Sequence, residues 1–323
     1  MKSFFRFATA AVLAVLATAC TKSSDSIQTE IPVTVSLSLP EIGTKAIADG
    51  QKVNKVHCIV FRNDKLINHS DVTKTITMSG RKATYTTRLI SGQKYKIAFW
   101  AEVADNTYYT VDYTNAIVTV SYNSAGNDEN RDAFFNAVEY TVTDATSALN
   151  VTLKRPFAQL NYGLSAADKA LADAISPIAK AEVSLDGGAY TKLNLLTGKV
   201  SVPATVPATV PATVPATVPV VFASAPVISS EKLKVQPAGA TAITEYEYLS
   251  MNYILVDQEV TPNATLTLYD ASDAIVTTVG TSLVPLKRNF RTNIVGNLIS
   301  EPAQINIVVD PAFNTPDNNK TVE

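Results

Sequence analysis

The chain has little with which to cross-link itself or to do chemistry. Of 323 residues, two are cysteine, two histidine and one tryptophan. If Cys20 is spent elsewhere, Cys58 has no partner and no internal disulfide is available. The fold must then rest on burial and hydrogen-bonded ladders. His57 and Cys58 are neighbours in an extended segment, so their side chains point to opposite faces and cannot share a metal or form a dyad. His69 lies in a polar loop. There is no Gly-x-Ser-x-Gly elbow, no phosphate-cradling glycine loop, no His-Glu-x-x-His and no calcium-loop spacing. The closest carboxylates are Asp128-Glu129 and the pair Glu245 and Glu247. The latter two share a strand face, whose ordinary fate is solvent exposure. No catalytic residue, metal ligand or cofactor is expected, and the chain reads as a non-enzyme. Charged residues make up 17% and the net charge is −2. Without a basic stripe, nucleic acid is not an expected partner. No apolar run after residue 20 is long enough for a membrane-spanning helix.

What is present is β-forming: Thr, Val, Ser, Ala and Tyr dominate. At the N-terminus, Lys2 and Arg6 precede an apolar run from Phe7 to Ala17, and Leu16-Ala17-Thr18-Ala19 leads into Cys20. This looks like a bacterial lipoprotein signal over residues 1–19, with cleavage before Cys20 and acylation there; leucine stands four places before the cysteine rather than three. The alternative is an ordinary secretory signal near a cysteine. Residues 20–30 read as a polar tether.

Alternation of apolar and polar residues predicts strands over 33–39, 53–61, 83–89, 95–103, 108–120 and 149–153. Asn127 to Tyr140 has room for one helical turn. Further strands are expected over 181–185, 190–196, 233–235, 245–256, 264–269, 275–279, 289–298 and 305–309, with Asp186-Gly187-Gly188 as a hairpin turn. One helix is predicted after Ser165, with Leu164, Ala167, Leu171, Ala174 and Ile175 on its apolar face and Ser176-Pro177 at its end. Tyr246, Tyr248 and Tyr253 read as core or sheet-face residues. Two segments, Leu153–Gly163 and Leu286–Gly296, share Leu-Lys-Arg, a phenylalanine and a terminal glycine without a gap. They suggest a domain boundary near Lys154, giving an N-terminal β-sandwich over 31–153 and a C-terminal one over 154–323. Residues 202–219 carry four copies of Val-Pro-Ala-Thr. A proline every fourth residue forbids a helix and deletes ladder donors, so an extended, polyproline-like excursion is expected, as a tolerated insertion or a binding spacer.

The signal at Cys20, Gly43-Thr44-Lys45-Ala46, Asp132-Ala133-Phe134-Phe135, the segment 155–161, the segment 287–294 and the final stretch 305–313 together resemble the fimbrillin-type pilins and related lipoproteins of the Bacteroides group. The resemblance is diffuse and spans nearly the whole chain. It implies an all-β fold of two consecutive transthyretin-like (Greek-key) β-sandwich domains with one short helix in the second. It also implies a lipid anchor at Cys20 in the outer membrane, exposure at the cell surface or in a fimbrium, and other pilin subunits as partners. In that family a trypsin-like cut removes the first strand and a donor strand from the next subunit fills the slot. Here Ile31 to Leu39 would be removed and Lys45 would be the processing site, although the family cut favours arginine. The donor would come from Gln304 to Phe313. Asp25-Ser26-Ile27 resembles a triplet that these bacteria O-glycosylate, on Ser26. A surface lipoprotein that does not polymerise but binds a host or glycan ligand is the alternative.

Overall fold

Inward-facing valines and leucines at every second position dictate the first layer. The computed structural model describes residues 29–40, 49–143, 147–202, 217–236, 241–300, 305–311 and 320–321. β1 (Glu30–Ser38) lies between β5 (Lys82–Ile90), which runs antiparallel to it, and β10 (Ser147–Thr152), which runs parallel. Facing them is a sheet of β3 (Lys65–Leu66), β2 (Lys55–Arg62), β6 (Lys94–Glu102) and β9 (Phe134–Thr141), with β4 (Lys74–Thr77) on β2. Val35, Leu37 and Tyr85 from one sheet meet Cys58, Val60, Ile97 and Phe99 from the other in one buried cluster.

β2 and β6 read as nearly continuous apolar runs because both their faces are covered. Their second faces carry Ile59, Phe61, Ala98 and Trp100 into a different core. Against it pack β7 (Tyr109–Asp112) and β8 (Ile117–Val120), which form a hairpin rather than one strand over 108–120. β8 pairs with β13 (Lys192–Asn194), which pairs with β14 (Val200–Ser201), so this small sheet joins segments from both sides of residue 153.

The remaining strands form two larger sheets. One runs β16 (Ile228–Val235), β17 (Thr244–Leu255), β11 (Phe157–Leu164), β22 (Phe290–Gly296), β23 (Asn306–Pro311) and β24 (Lys320–Thr321). The other runs β15 (Val218–Pro226), β12 (Lys180–Ala189), β19 (Ala264–Tyr269) and β20 (Ile275–Thr281). Leu160, Tyr162 and Leu164 share a core with Val183, Leu185, Phe222 and Leu266. A two-stranded ribbon of β18 (Glu259–Val260) and β21 (Leu286–Lys287) completes the strands. The chain is thus all-β, with one α-helix, α1 (Ala166–Ile175), among the described residues. A single 3-10 turn, Glu129–Arg131, occupies the place predicted for a helical turn.

Two local expectations are corrected. The face of α1 carrying Ala167, Leu171, Ala174 and Ile175 is exposed, with Ile175 at 78%. The helix buries Asp168 and Ala172 instead. The Asp168 carboxylate accepts from the backbone N–H groups of Ile299 and Ser300 and from the Ser300 hydroxyl, and this polar clamp sets the rotation of the helix. Asp186-Gly187-Gly188 is also no hairpin turn. It lies inside β12, as an irregularity against β15, with Gly188 at φ +81° and packed on Pro262. The positive φ absorbs a bulge rather than reversing the chain.

The two similar segments are neighbours rather than counterparts in separate sheets. β11 and β22 pair in parallel, Gln159 beside Arg291 through Leu164 beside Gly296.

Candidate strand-exchange site

β1 is a central strand made from a short N-terminal segment, and that combination defines the site. Val33 and Val35 have no exposed surface and Leu37 has 2%. Thr34, Ser36 and Ser38 point away from the core. The strand registers with β5 from Glu30–Ile90 to Ser38–Lys82 and with β10 from Val33–Ser147 to Ser38–Thr152. Its ends are pinned by backbone bonds. The Ser91 N–H donates to Thr29 O (2.8 Å), the Leu39 N–H to Arg81 O (3.0 Å) and the Leu153 N–H to Ser38 O (2.8 Å). Arg88 Nη2 donates to Glu30 O at 3.0 Å.

Tyr85, opposite Val35 on β5, lines one side of the slot, and its hydroxyl donates to Val72 O. Burial raises the pKa of this phenol and of the Cys58 thiol beside it, so both stay neutral and apolar at ordinary pH. Two open depressions flank the strand. One, of about 400 Å³, lies by Glu30, Pro32 and Arg88. The other, of about 520 Å³, lies where the chain leaves β1, by Ser38, Leu39 and Arg81. If β1 left, the facing edges of β5 and β10 would lose their partners and an apolar slot would open to water.

The predicted modification sites are not brought to this slot by any described contact: Cys20, Ser26 and Lys45 lie outside the described residues, as does most of the Val-Pro-Ala-Thr array. Glu245 and Glu247 sit on β17 but are paired across the sheet, Glu245 with Lys234 at 3.2 Å and Glu247 with Lys232. Tyr246, Tyr248 and Tyr253 are buried. His69 is exposed, 3.8 Å from Asp71. The segment named as donor is already used: Asn306–Pro311 is β23, antiparallel to β22, with Val308 and Val309 buried.

Two polar clusters escaped the sequence reading. His57 Nε2 lies 2.9 Å from Glu102 Oε1 and its Nδ1 lies 2.7 Å from the Tyr113 hydroxyl. Lys55 reaches the same carboxylate at 2.8 Å, and Trp100 Nε1–H donates to it at 2.8 Å. Burial works against ionising Glu102, but the bonds from His57, Lys55 and Trp100 outweigh it and hold the carboxyl below its ordinary range. The cluster ties the β7–β8 hairpin to the β2–β6 sheet. The second cluster joins Arg155 to Asp132, Nε to Oδ1 and Nη2 to Oδ2, both at 2.6 Å. Burial raises the Asp132 pKa against the pull of Arg155. Alternation could have placed His57 and Glu102 on one face of adjacent strands, but nothing in the sequence announced their register.

A model for a "Family of unknown function (DUF6562)" matches residues 23–323. No curated protein matches the chain. Among solved structures, a candidate polysaccharide-binding protein (DUF1812) of Bacteroides thetaiotaomicron has a TM-score of 0.49 at 12% identity, over 91% of this chain and 99% of that one. A fimbrial assembly protein of Parabacteroides distasonis has a TM-score of 0.45 at 11% identity, over 91% and 100%. A candidate cell adhesion protein of Bacteroides uniformis has a TM-score of 0.49 at 12% identity, over 88% and 98%. At these values the likenesses carry no argument about function.

Proposed function

The chain belongs to the DUF6562 family, and from that premise we propose that it is an adhesive, pilin-like subunit of the bacterial surface. In this reading it is delivered as a lipoprotein through Cys20 and assembles by exchange of its first strand. The observation that carries the proposal is the place of β1. A strand near the N-terminus is inserted between β5 and β10, parallel to one and antiparallel to the other, and supplies three buried side chains to the core. Lys45 is the only basic residue between Lys22 and Lys52. A cut there would release β1 with the lipid, leave β5 and β10 without a ladder partner and leave the facing β3-β2-β6-β9 sheet in place. The vacated slot would offer backbone groups to an incoming strand and pockets to its alternate side chains, the usual terms of strand addition. Cys20 would then be a delivery device that also blocks premature assembly.

A specific observation favours a second reading, a non-polymerising surface lipoprotein that keeps β1 and binds a glycan or host ligand. The segment 306–311, the candidate donor, is held in the chain's own sheet.

One experiment separates the two. The purified full chain is treated with a lysine-specific protease and followed by electrophoresis in detergent and by mass spectrometry of the N-terminus. The polymerising reading expects a new terminus at Ala46 and a ladder of oligomers, both abolished by Lys45→Gln. A chain cut at Lys45 that stays monomeric overturns it.

A further inference from the structure

The twin Leu-Lys-Arg segments have no part in strand exchange, yet the fold brings them together. Each immediately precedes its strand, β11 or β22, and these strands are parallel neighbours. Parallel pairing puts both entrances at the same end of the sheet. Lys154, Arg155, Lys287 and Arg288 therefore line a single open cleft of about 530 Å³. We propose that this cleft binds an acidic saccharide, one carrying carboxylate or sulfate groups.

The four cations have different employments. Arg155 is committed to Asp132 inside the protein. Arg288 is fixed by carbonyls: Nε and Nη2 donate to Val256 O at 3.0 and 2.9 Å, and Nη1 donates to Gly198 O at 2.9 Å. Its Nη2 also forms an ion pair with the half-exposed Asp257 at 3.6 Å, which offsets part of its charge. Hydrogen bonds to neutral carbonyls orient the guanidinium without cancelling its charge, and the solvent-screened Asp257 offsets it only in part, so Arg288 is preorganised with N–H groups to spare. Lys154 is exposed and has no ion pair among the described residues. The Lys287 ammonium lies 4.5 Å from the centre of the Phe290 ring. Glu259 stands across the β18–β21 ribbon from Lys287 but makes no ion pair with it among the described residues. Lys154, Lys287 and Arg288 are thus left facing a shared space.

The rest of the lining decides the kind of anion. Asn136, Thr197, Gln258 and Asn289 supply amides and a hydroxyl, and Phe135 and Phe290 supply apolar rings. Neutral donors and acceptors suit sugar hydroxyls, rings suit the apolar face of a pyranose, and the cations suit its acidic substituent. An acidic peptide would use the cations but has less need of the amides. The cleft does not involve β1, so the inference stands whether that strand is kept or exchanged.

The test is calorimetric titration of the full chain with a sulfated tetrasaccharide, a tetragalacturonate, neutral cellotetraose and an oligoglutamate peptide. Binding of at least one acidic saccharide is expected, with neither cellotetraose nor oligoglutamate matching it. Lys154→Ala with Lys287→Ala should weaken that binding by about tenfold per lysine, the scale of a lost charge-assisted hydrogen bond. Lys65→Ala, on β3 away from the cleft, should leave it unchanged. Both cleft lysines lack ion pairs among the described residues, so the double variant should keep its circular dichroism and unfolding midpoint. Equal affinity of the folded double variant, no heat from either acidic saccharide at millimolar concentration, or oligoglutamate binding as tightly would each overturn the assignment.

Discussion

Truncating Leu37 to alanine probes how firmly β1 is held. The side chain is 2% exposed and sits between Ala83 on β5 and Val151 on β10. Removing three buried carbons forfeits their transfer energy and leaves a cavity that two hydrogen-bonded neighbours cannot close. Leucine-to-alanine changes at such sites cost about 2–5 kcal/mol, a large part of the roughly 5–15 kcal/mol by which a domain is stable. Ser36, one residue earlier, is exposed on the opposite face. Ser36→Ala should therefore stay within about 0.5 kcal/mol of the parent. Hydrogen exchange at single-residue resolution is the assay, because it reads β1 separately from the rest. If β1 opens as a local unit, its amides and those of β5 and β10 should exchange at least about thirtyfold faster in Leu37→Ala, the factor matching 2 kcal/mol. The amides of β12 and β19 should be unaffected. Equal effects from Leu37→Ala and Ser36→Ala, or unchanged protection in β1, would refute the placement of this strand as the keystone of the β10-β1-β5 sheet.

Two other substitutions test the buried polar clusters. Asp132→Ala takes from Arg155 its bidentate carboxylate and should destabilise by about 3–5 kcal/mol in urea titrations, whereas Asp132→Leu with Arg155→Met should recover much of that loss; a double variant no better than the single one would deny that the charge drives the effect. The depressed Glu102 pKa gives a pH signature. The unfolded carboxyl titrates near the ordinary 4.5 and the folded one below it, so its stabilising contribution is present above that value and fades as pH falls through the folded pKa. The stability difference between the parent and Glu102→Gln should accordingly shrink on acidification from about pH 6 to about pH 3, and a difference that grows would contradict the sign.

Periodicity and chemistry in the sequence itself determined much of this molecule. Alternation in Val33–Leu39 and Ala83–Leu89 dictated two half-buried strands, because a period of two leaves only one face for the core. The apolar run Ile97–Ala101 fits a strand covered on both faces, as β6 is. The scarcity of histidine, cysteine and glycine loops gave no foothold for an active-site motif. Where local and tertiary preferences conflicted, tertiary contacts prevailed. The apolar stripe of α1 pointed to burial, but three hydrogen bonds to Asp168 turned it outward. Asp186-Gly187-Gly188 carried a turn signal, yet β12 resumes its pairing with β15 at Ala189 beyond the irregularity, so the chain runs on. The likeness of residues 153–163 to 286–296 was visible as a repeat. Only the parallel register of β11 and β22 showed that it gathers four cations at one cleft, because long-range pairing is encoded by the whole core and not by either segment.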